Sequence, residues 1–91
     1  MTKFEWDGDK AKLNIRKHRV SFEEAETAIL DELSKTSPDP NHSFAENRFI
    51  TVGVSARRRL VVVSYTHRGD SIRIISARTA TKREREFYEE R

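Results

Sequence analysis

Three segments in the second half of the chain show the residue alternation of β-strands. Residues 47–55 alternate between apolar and polar positions, with an apolar face made by Ile50, Val52 and Val54. Residues 71–78 alternate similarly, whereas residues 60–66 are almost entirely apolar, as is typical of a central strand covered on both sides. Because only short polar turns separate the three segments, we predict an antiparallel meander.

The first half of the chain shows a short strand followed by two helical patterns. Residues 3–6 are predicted to form the strand. Asp7 or Asp9 is placed to cap a first helix that runs to about His18. One face of this helix would carry Ala11, Ile15 and His18.

A second helix is predicted to begin at Ser21, because Ser21 and Glu24 stand three apart as in a capping box. One side of it consists of Phe22, Ala25, Ile29 and Leu33. Residues 34–43 contain two prolines and are predicted to be a loop. Thr81 and Glu84 form another capping box, which opens a final charged helix. The resulting order, β-α-α-β-β-β-α, predicts an α+β fold.

Length and composition narrow the class of protein. A chain of 91 residues suits a single domain spanning 1–91. It contains no cysteine, which excludes disulfides, thiolate metal ligands and a cysteine nucleophile. The N-terminus lacks the apolar segment of a signal peptide, and no apolar run approaches the length of a membrane span. We therefore expect a soluble protein of the cytoplasm.

Charge is distributed unevenly along the chain. Residues 1–46 carry seven basic and ten acidic side chains, a net charge of −3, whereas residues 47–91 carry eleven basic and five acidic ones, a net charge of +6. Ten of those eleven are arginines, whose planar guanidinium matches the geometry of a phosphate. The C-terminal half therefore suits a phosphate-handling surface, although a solvated strand face with a charged helix would have the same composition.

A series of residues along nearly the whole chain resembles the BrnT family of toxins. Its N-terminal part consists of Phe4-Glu5-Trp6-Asp7, Lys10-Ala11, Asn14, Lys17-His18 and Val20-Ser21-Phe22-Glu23-Glu24-Ala25. Its C-terminal part consists of His42-Ser43, Glu46, Arg48, Gly53, Ser55, Arg59-Leu60, Thr66, Arg68, residues 73–78, Ala80, Glu84-Arg85 and Tyr88. No single piece is specific, and the resemblance rests on their number and order.

The resemblance implies a RelE-like fold and a ribonuclease toxin that inhibits translation. It also implies neutralisation by a BrnA-like antitoxin with a ribbon-helix-helix domain, through which alone the toxin would reach operator DNA. Two positions depart from the family's usual residues, because Arg19 and Arg58 stand where glycine is common. If those glycines adopt a positive φ, the arginines here are strained or the turns change shape.

RNA cleavage without a metal requires activation of a 2′-hydroxyl, stabilisation of charge on the phosphate and protonation of the leaving oxygen. Together with the resemblance, this chemistry makes four residues candidate catalytic groups: Lys17, Glu46, Arg59 and Arg78. We expect such cleavage to leave a 2′,3′-cyclic phosphate and a 5′-hydroxyl.

Each candidate catalytic group also has a structural interpretation. Arg78 ends a strand, and it either contacts a phosphate or pairs with Glu84 or Glu86. Arg59 either contacts RNA or belongs to a solvated turn. Lys17 either binds phosphate or complements the dipole of the first helix. Glu46 is a general base if its pKa is raised, but we prefer a role in holding an arginine in place.

Five further residues are candidate RNA contacts: Trp6, His18, Arg48, Arg57 and Arg73. Trp6 either stacks on a base or packs in the core, and we prefer the core. His18 falls on the predicted apolar face of the first helix, so we prefer a partly buried structural histidine to a proton shuttle. Arg73 is expected to face away from the side occupied by Ile72 and Ile74.

Metal sites and cofactors are not expected. His42 and Glu46 stand four apart, but one such pair is far short of a metal site, and neighbouring prolines indicate a loop. Two other functions stay open, because the same arginines would serve them. One is a non-catalytic module that binds nucleic acid, and the other is a protein whose sole role is to hold an antitoxin.

Overall fold

The computed structural model describes residues 2–39 and 47–90, which form an α+β fold with a five-stranded sheet and three helices. Its elements are, in chain order, β1 (Lys3–Glu5), α1 (Gly8–His18), α2 (Phe22–Ile29), β2 (Lys35–Pro38), β3 (Arg48–Val54), β4 (Leu60–Arg68), β5 (Ser71–Thr79) and α3 (Lys82–Glu89). The predicted class is confirmed, and the predicted order lacks one strand, β2. Within these ranges, no helix is long and apolar enough to cross a membrane.

The strands lie in the order β1-β5-β4-β3-β2. The predicted antiparallel meander of β3, β4 and β5 is confirmed. β1 adds to the free side of β5 as a parallel strand, with Phe4 opposite Ile72. The first strand of the chain therefore forms one edge of the sheet, beside the last strand, and β2 forms the other edge.

The loop predicted over residues 34–43 is wrong in its first part. Lys35–Pro38 pairs antiparallel with β3, and Thr36 lies opposite Thr51. β2 is an edge strand, and Pro38 is its last residue. A proline is tolerated there because an edge position does not need its missing N–H donor. Residues 40–43 lie outside the described residues.

The two faces of the sheet carry separate apolar clusters. The face that packs against α1 and α2, here called the α2 face, carries Val61 and Val63 of β4. The opposite face, here called the α3 face, carries Leu60 and Val62, which pack with Tyr88 of α3. All four β4 residues are at least 96% buried. The prediction that residues 60–66 form a central strand covered on both sides is confirmed.

Gly53 lets α2 approach β3 closely. A Cβ at this position would lie 2.1 Å from the carbonyl oxygen of Ala28, the last buried residue of α2. Such a contact is far inside van der Waals distance, so a side chain at residue 53 would push the helix away from the sheet. The absence of a Cβ thus sets the distance between α2 and the sheet.

Helix α1 docks through a polar side chain. Of the two predicted caps, Asp7 and Asp9, the structure shows Asp7, which accepts from the backbone N–H of Asp9 at 2.8 Å. The predicted apolar face of Ala11, Ile15 and His18 is wrong, because Ile15 is 46% exposed and His18 is exposed as well. The buried residue of α1 is Asn14, whose amide bonds to the backbone beside the open part of the β5 edge.

The two predicted capping boxes differ in the structure. Ser21 caps α2 by accepting from Glu24 N at 3.0 Å, but the Glu24 side chain makes its contacts elsewhere. The box of Thr81 and Glu84 is complete. Since α2 ends at Ile29, Leu33 lies beyond it and is 58% exposed, so its predicted place on the helix side is wrong.

Two arginines have left-handed backbone conformations. Arg19 follows α1 with φ of 57°, and Arg58 lies in the β3–β4 turn with φ of 63°. The turn closes with Arg58 N donating to Ser55 O, in a geometry that normally places glycine at the left-handed position. The condition stated for Arg19, a positive φ after the helix, is therefore met, and Arg58 shares this conformation, which carries a steric cost for a residue with a Cβ.

Candidate functional site

Arg78 lies on the α3 face, opposite Val62 of β4. Its Nη1 and Nη2 donate to Oε1 and Oε2 of Glu84, both at 2.7 Å. The pairing foreseen with Glu84 is thus present, and the pair joins the end of β5 to the first turn of α3. The Arg78 side chain remains 42% exposed, so part of its guanidinium faces solvent.

Glu84 belongs to both the helix cap and the ion pair. Its Oε1 also accepts from Thr81 N at 2.9 Å, which closes the capping box. The Arg78 guanidinium, more than the cap, lowers the pKa of Glu84 from its ordinary 4.5 to about 2. The same contact raises the pKa of Arg78. Both groups are therefore charged throughout the neutral range.

A β-bulge brings Arg73 onto the face that carries Arg78. Ser64 lies opposite Ser76, but the next residue of β4, Tyr65, lies opposite Ile74, so Ile75 is the additional residue. Residues five apart on a regular strand face opposite sides. The inserted residue reverses that relation beyond it, and such bulges commonly redirect side chains near functional sites.

Arg73 and Arg48 lie in one row across the α3 face, since both are opposite Thr66. Arg73 faces away from Ile72 and Ile74, as predicted, and its Nη1 is 3.0 Å from Oε2 of Glu5 on β1. Three arginines thus share this face, although Arg73, like Arg78, has an acidic partner.

A groove of about 230 Å³ runs between α1 and the part of β5 that β1 leaves unpaired. It is lined by Lys10, Leu13, Asn14, Lys17, His18, Ile75 and Ser76. Lys17 and His18 are exposed, so the expectation of a partly buried structural histidine is wrong. Ser76 lies two residues before Arg78 on the same face. The structure therefore brings the C-terminus of α1 to the same edge as Arg78.

Arg59 lies on the α2 face of the sheet, whereas Arg78 lies on the α3 face, so the two side chains do not belong to one site. Its Nε and Nη2 donate to the two carboxylate oxygens of Glu24 at 2.7 and 2.6 Å. Nη2 also donates to the carbonyl of Arg19 at 2.6 Å. Arg59 is thus not a free side chain of a solvated turn, because its guanidinium is held by Glu24, although 31% of the side chain is exposed. The sheet separates the two predicted catalytic arginines.

Glu24 is the buried acid that organises this second cluster. Its side chain is 4% exposed and also accepts from the Ser55 hydroxyl at 2.6 Å. The Arg59 hydrogen bonds are the largest cause of a lowered Glu24 pKa, which outweighs the opposing effect of burial. Arg57 stands 4.0 Å from the same carboxylate with 71% of its side chain exposed. From the sequence, Glu24 was predicted only as part of the capping box of α2, and its ion pair with Arg59 was not predicted.

Two other candidates have simpler outcomes. Trp6 packs against Phe22 with ring centroids 5.8 Å apart in an edge-to-face arrangement, beside the core on the α2 face. The preferred core role is thus the one the structure shows. Glu46 and His42 lie outside the described residues.

Comparison with known proteins identifies the family. The model of the family described as "Ribonuclease toxin, BrnT, of type II toxin-antitoxin system" matches residues 6–84. The chain belongs to the BrnT family. A search of curated proteins gave no match. The crystal structure of the Brucella abortus ribonuclease toxin, BrnT, has a TM-score of 0.70 and 25% sequence identity, covering 90% of this chain and 100% of that one.

Membership of the BrnT family makes this chain a ribonuclease toxin of a type II toxin–antitoxin system. RNA is therefore its substrate, and an antitoxin is its partner. The fold of the Brucella BrnT toxin is the fold of this chain. Asn14 of the BrnT pattern, like Glu24, has a structural role that its residue type alone did not reveal. The signal available in the sequence was its position three residues after Ala11, which places both residues on the same side of α1.

Proposed function

We propose that this BrnT-family toxin acts as a single cytoplasmic domain that cleaves RNA without a metal ion and thereby inhibits translation. The 2′-hydroxyl gives its proton to a base and attacks the adjacent phosphorus. The bond from phosphorus to the 5′-oxygen breaks as that oxygen takes up a proton, giving a 2′,3′-cyclic phosphate and a 5′-hydroxyl. The observation that carries this proposal is the partly exposed Arg78, held by Glu84 on the strand whose open edge forms the groove with Lys17 and His18.

Arg78 is the proposed ligand of the reacting phosphate. Two parallel N–H donors now hold the oxygens of Glu84 at 2.7 Å, and a phosphate presents the same spacing of acceptors. As charge develops on the phosphate in the transition state, a fixed fork stabilises it more than it stabilises the substrate. Lys17 supplies a second cation across the groove. The nucleotides on either side of the cleaved bond are proposed to contact His18, Arg48 and Arg73.

Arg59 is better suited to positioning than to catalysis. Three of its contacts at 2.6–2.7 Å engage Nε and Nη2, and they point away from the α3 face. We retain Glu46 as the candidate base or arginine-holding group predicted from the sequence.

A second candidate function is a non-catalytic module that binds RNA or an antitoxin. One observation favours it: Arg59, Arg73 and Arg78 are all paired with acids of the same chain, Glu24, Glu5 and Glu84. Ion pairs of this kind also occur in proteins with no catalytic role. The two functions differ in whether purified protein breaks the phosphodiester bond.

The proposed antitoxin is BrnA-like, with a ribbon-helix-helix domain that carries the complex to operator DNA. We propose that it covers the groove between α1 and β5 and so excludes RNA. Arg59 would be covered by the same segment only if that segment passed around the end of the sheet, because Arg59 and Arg78 lie on opposite faces.

The decisive experiment incubates purified toxin with RNA in EDTA and analyses the ends of the products. Cleavage that survives EDTA and leaves cyclic-phosphate ends supports the proposal. Loss of cleavage that Mg²⁺ or Mn²⁺ restores would overturn metal independence. Binding of RNA without cleavage, in protein shown to be folded, would establish the non-catalytic function instead.

A further inference from the structure

Three exposed arginines meet at one corner of the molecule, where the α1–α2 junction lies against the β3–β4 turn. We call Arg19, Arg57 and Arg58 the arginine corner. Arg59 joins its two parts, because its guanidinium donates both to Arg19 O and to Glu24 of α2. Arg57 is 4.0 Å from the same Glu24 carboxylate. The backbone of the corner is therefore fixed by Arg59 and one buried acid, while its three arginine side chains extend into solvent.

The backbone of the corner is maintained against its own preference. Arg19 and Arg58 are the only non-glycine residues with positive φ in the described ranges, and both belong to this cluster. Glycine would adopt these conformations without the steric cost of a Cβ. Neither side chain adds to the hydrogen-bonding network that closes the corner, which uses the Arg19 carbonyl and the Arg58 N–H. A strained backbone conformation whose side chain makes no stabilising hydrogen bond is typical of a functional site.

Charge at the corner is positive and open to solvent. The acid in contact with the corner is Glu24 of α2, which is already paired through two hydrogen bonds from Arg59. Among the described residues, Arg19 and Arg58 have no ion-pair partner, and Arg57 reaches Glu24 only at 4.0 Å. Exposed guanidinium groups without acid partners attract phosphate groups.

The corner is continuous with the groove. Lys17 and His18 line the groove, and Arg19 follows them directly at the end of α1. A bound RNA strand that leaves the groove past the C-terminus of α1 would therefore reach the corner on the α2 side. We propose that the arginine corner is a second phosphate-binding subsite, which holds the backbone of a single RNA strand at a distance from the bond cleaved beside Arg78. This inference rests on the proposed function for the choice of RNA as the ligand.

The test uses the double variant Arg19→Gly with Arg58→Gly, which removes two charges and two strained side chains together. Its melting temperature should rise by a few degrees, because relief of small strains has effects of that size in domains this small. Its Kd for a non-cleavable, 2′-O-methyl, 12-nucleotide RNA should rise at low salt because two contacts to phosphate are lost. The rise should be only about tenfold, because each exposed ion pair contributes little. The slope of log Kd against log salt should fall by roughly 1.4, at about 0.7 per lost phosphate contact.

Two controls isolate the corner. Lys3→Ala with Arg68→Ala removes the same charge at the far end of the sheet, where both residues lie opposite Ser71. Arg68 is eight residues beyond Leu60, about 27 Å at roughly 3.3 Å per residue, so this variant should change Kd much less. Arg19→Lys with Arg58→Lys keeps charge and strain, and should bind RNA nearly as the wild type does. A dinucleotide substrate, too short to reach the corner, should be cleaved equally by the wild type and the glycine variant, whereas the KM for the long RNA should rise at constant kcat.

Three results would overturn the inference: equal loss of affinity in the glycine and distant-charge variants, unchanged RNA affinity in the glycine variant, or a loss confined to duplex DNA. The last result would make the corner a DNA contact. The binding measurements use RNA that cannot be cleaved, so they remain informative if the protein proves not to be a metal-independent nuclease. Failure of the corner is thereby distinguished from failure of the proposed function.

Discussion

Glu24 and Arg59 form a two-point ion pair that ties α2 to the start of β4. Nε donates to Oε2 at 2.7 Å and Nη2 donates to Oε1 at 2.6 Å, while the carboxylate is 4% exposed and the guanidinium 31% exposed. The sequence separation is 35 residues, so this pair connects parts of the chain that no local pattern joins. Its acid is nearly inaccessible to water, which makes the pair sensitive to the loss of either partner.

Glu24→Gln is expected to destabilise the fold by about 2 kcal/mol. Loss of one partner of a fully buried ion pair costs about 3–5 kcal/mol, but here the partly exposed Arg59 can regain some hydration. Urea unfolding measures the difference. Glu23→Gln, an exposed neighbour on α2, is the control and should stay within about 0.5 kcal/mol of the wild type. Equal stability of the two variants would show that Arg59 is not held as described.

Arg78→Ala is expected to remove most RNA cleavage while the protein stays folded. Loss of one preorganised donor to a developing anion lowers kcat by about 10²–10³. Arg78→Lys should also be impaired, because a single ammonium cannot replace a two-point fork. Cleavage kinetics together with circular dichroism measure both effects, and Arg68→Ala serves as the control. Undiminished growth arrest by the alanine variant in cells would show that Arg78 is not a catalytic group.

Glu84→Gln is expected to reduce stability at neutral pH but not in acid. The folded-state pKa of about 2 lies below the ordinary 4.5, so the stabilisation is fully present above pH 4.5 and is lost as the pH falls towards 2. Because Arg78 is 42% exposed, solvent screening reduces the effect to about 1–2 kcal/mol. Unfolding free energies of the wild type and the variant should therefore converge between pH 4.5 and 2. Glu86→Gln on the same helix provides the charge-matched baseline, and a constant difference across this range would contradict the pairing.

Asn14→Ala is expected to destabilise the fold by about 2–4 kcal/mol. The amide donates to Val20 O and Ala77 O at 2.9 and 2.8 Å and accepts from Ala77 N at 3.1 Å, and buried backbone groups without partners are costly. Asn14→Asp should be worse, since it places a carboxylate oxygen against two carbonyls. Hydrogen exchange at Ala77 N reports the contact directly. Lys12→Ala, exposed on the same helix, is the control. Slow hydrogen exchange at Ala77 N in the Asn14→Ala variant would contradict the hydrogen bond between Asn14 and Ala77.

Periodicity was sufficient for the elements whose environment is set by apolar packing. The central strand at residues 60–66 and the N-cap at Asp7 both follow from local residue types, as the structure confirms. The missed strand β2 and the wrong face of α1 have a common origin. Each makes its contacts through polar or backbone groups, β2 by ladder hydrogen bonds and α1 by Asn14, and hydrophobic patterns do not report such contacts.

The candidate site was predictable as a set of residue types but not as an arrangement. Sequence analysis placed Arg59 and Arg78 in one catalytic group, whereas the β4–β5 register sends their side chains to opposite faces of the sheet. The bulge after Ser64 that aligns Arg73 with Arg78 has no signature in a single sequence. By contrast, Arg19 and Arg58 could be singled out from the sequence, because the family pattern that the chain resembles commonly has glycine at these turns.

The parallel pairing of β1 with β5 has a consequence for how the toxin is made. Lys3–Glu5 pairs with Ser71–Arg73, so β1 cannot join the sheet until β5, the last strand, has formed. Contacts between such distant segments slow folding, since a long loop must close before they form. During synthesis the N-terminal helices emerge without the strands that cover them. The complete sheet can therefore form only after nearly the whole polypeptide has left the ribosome.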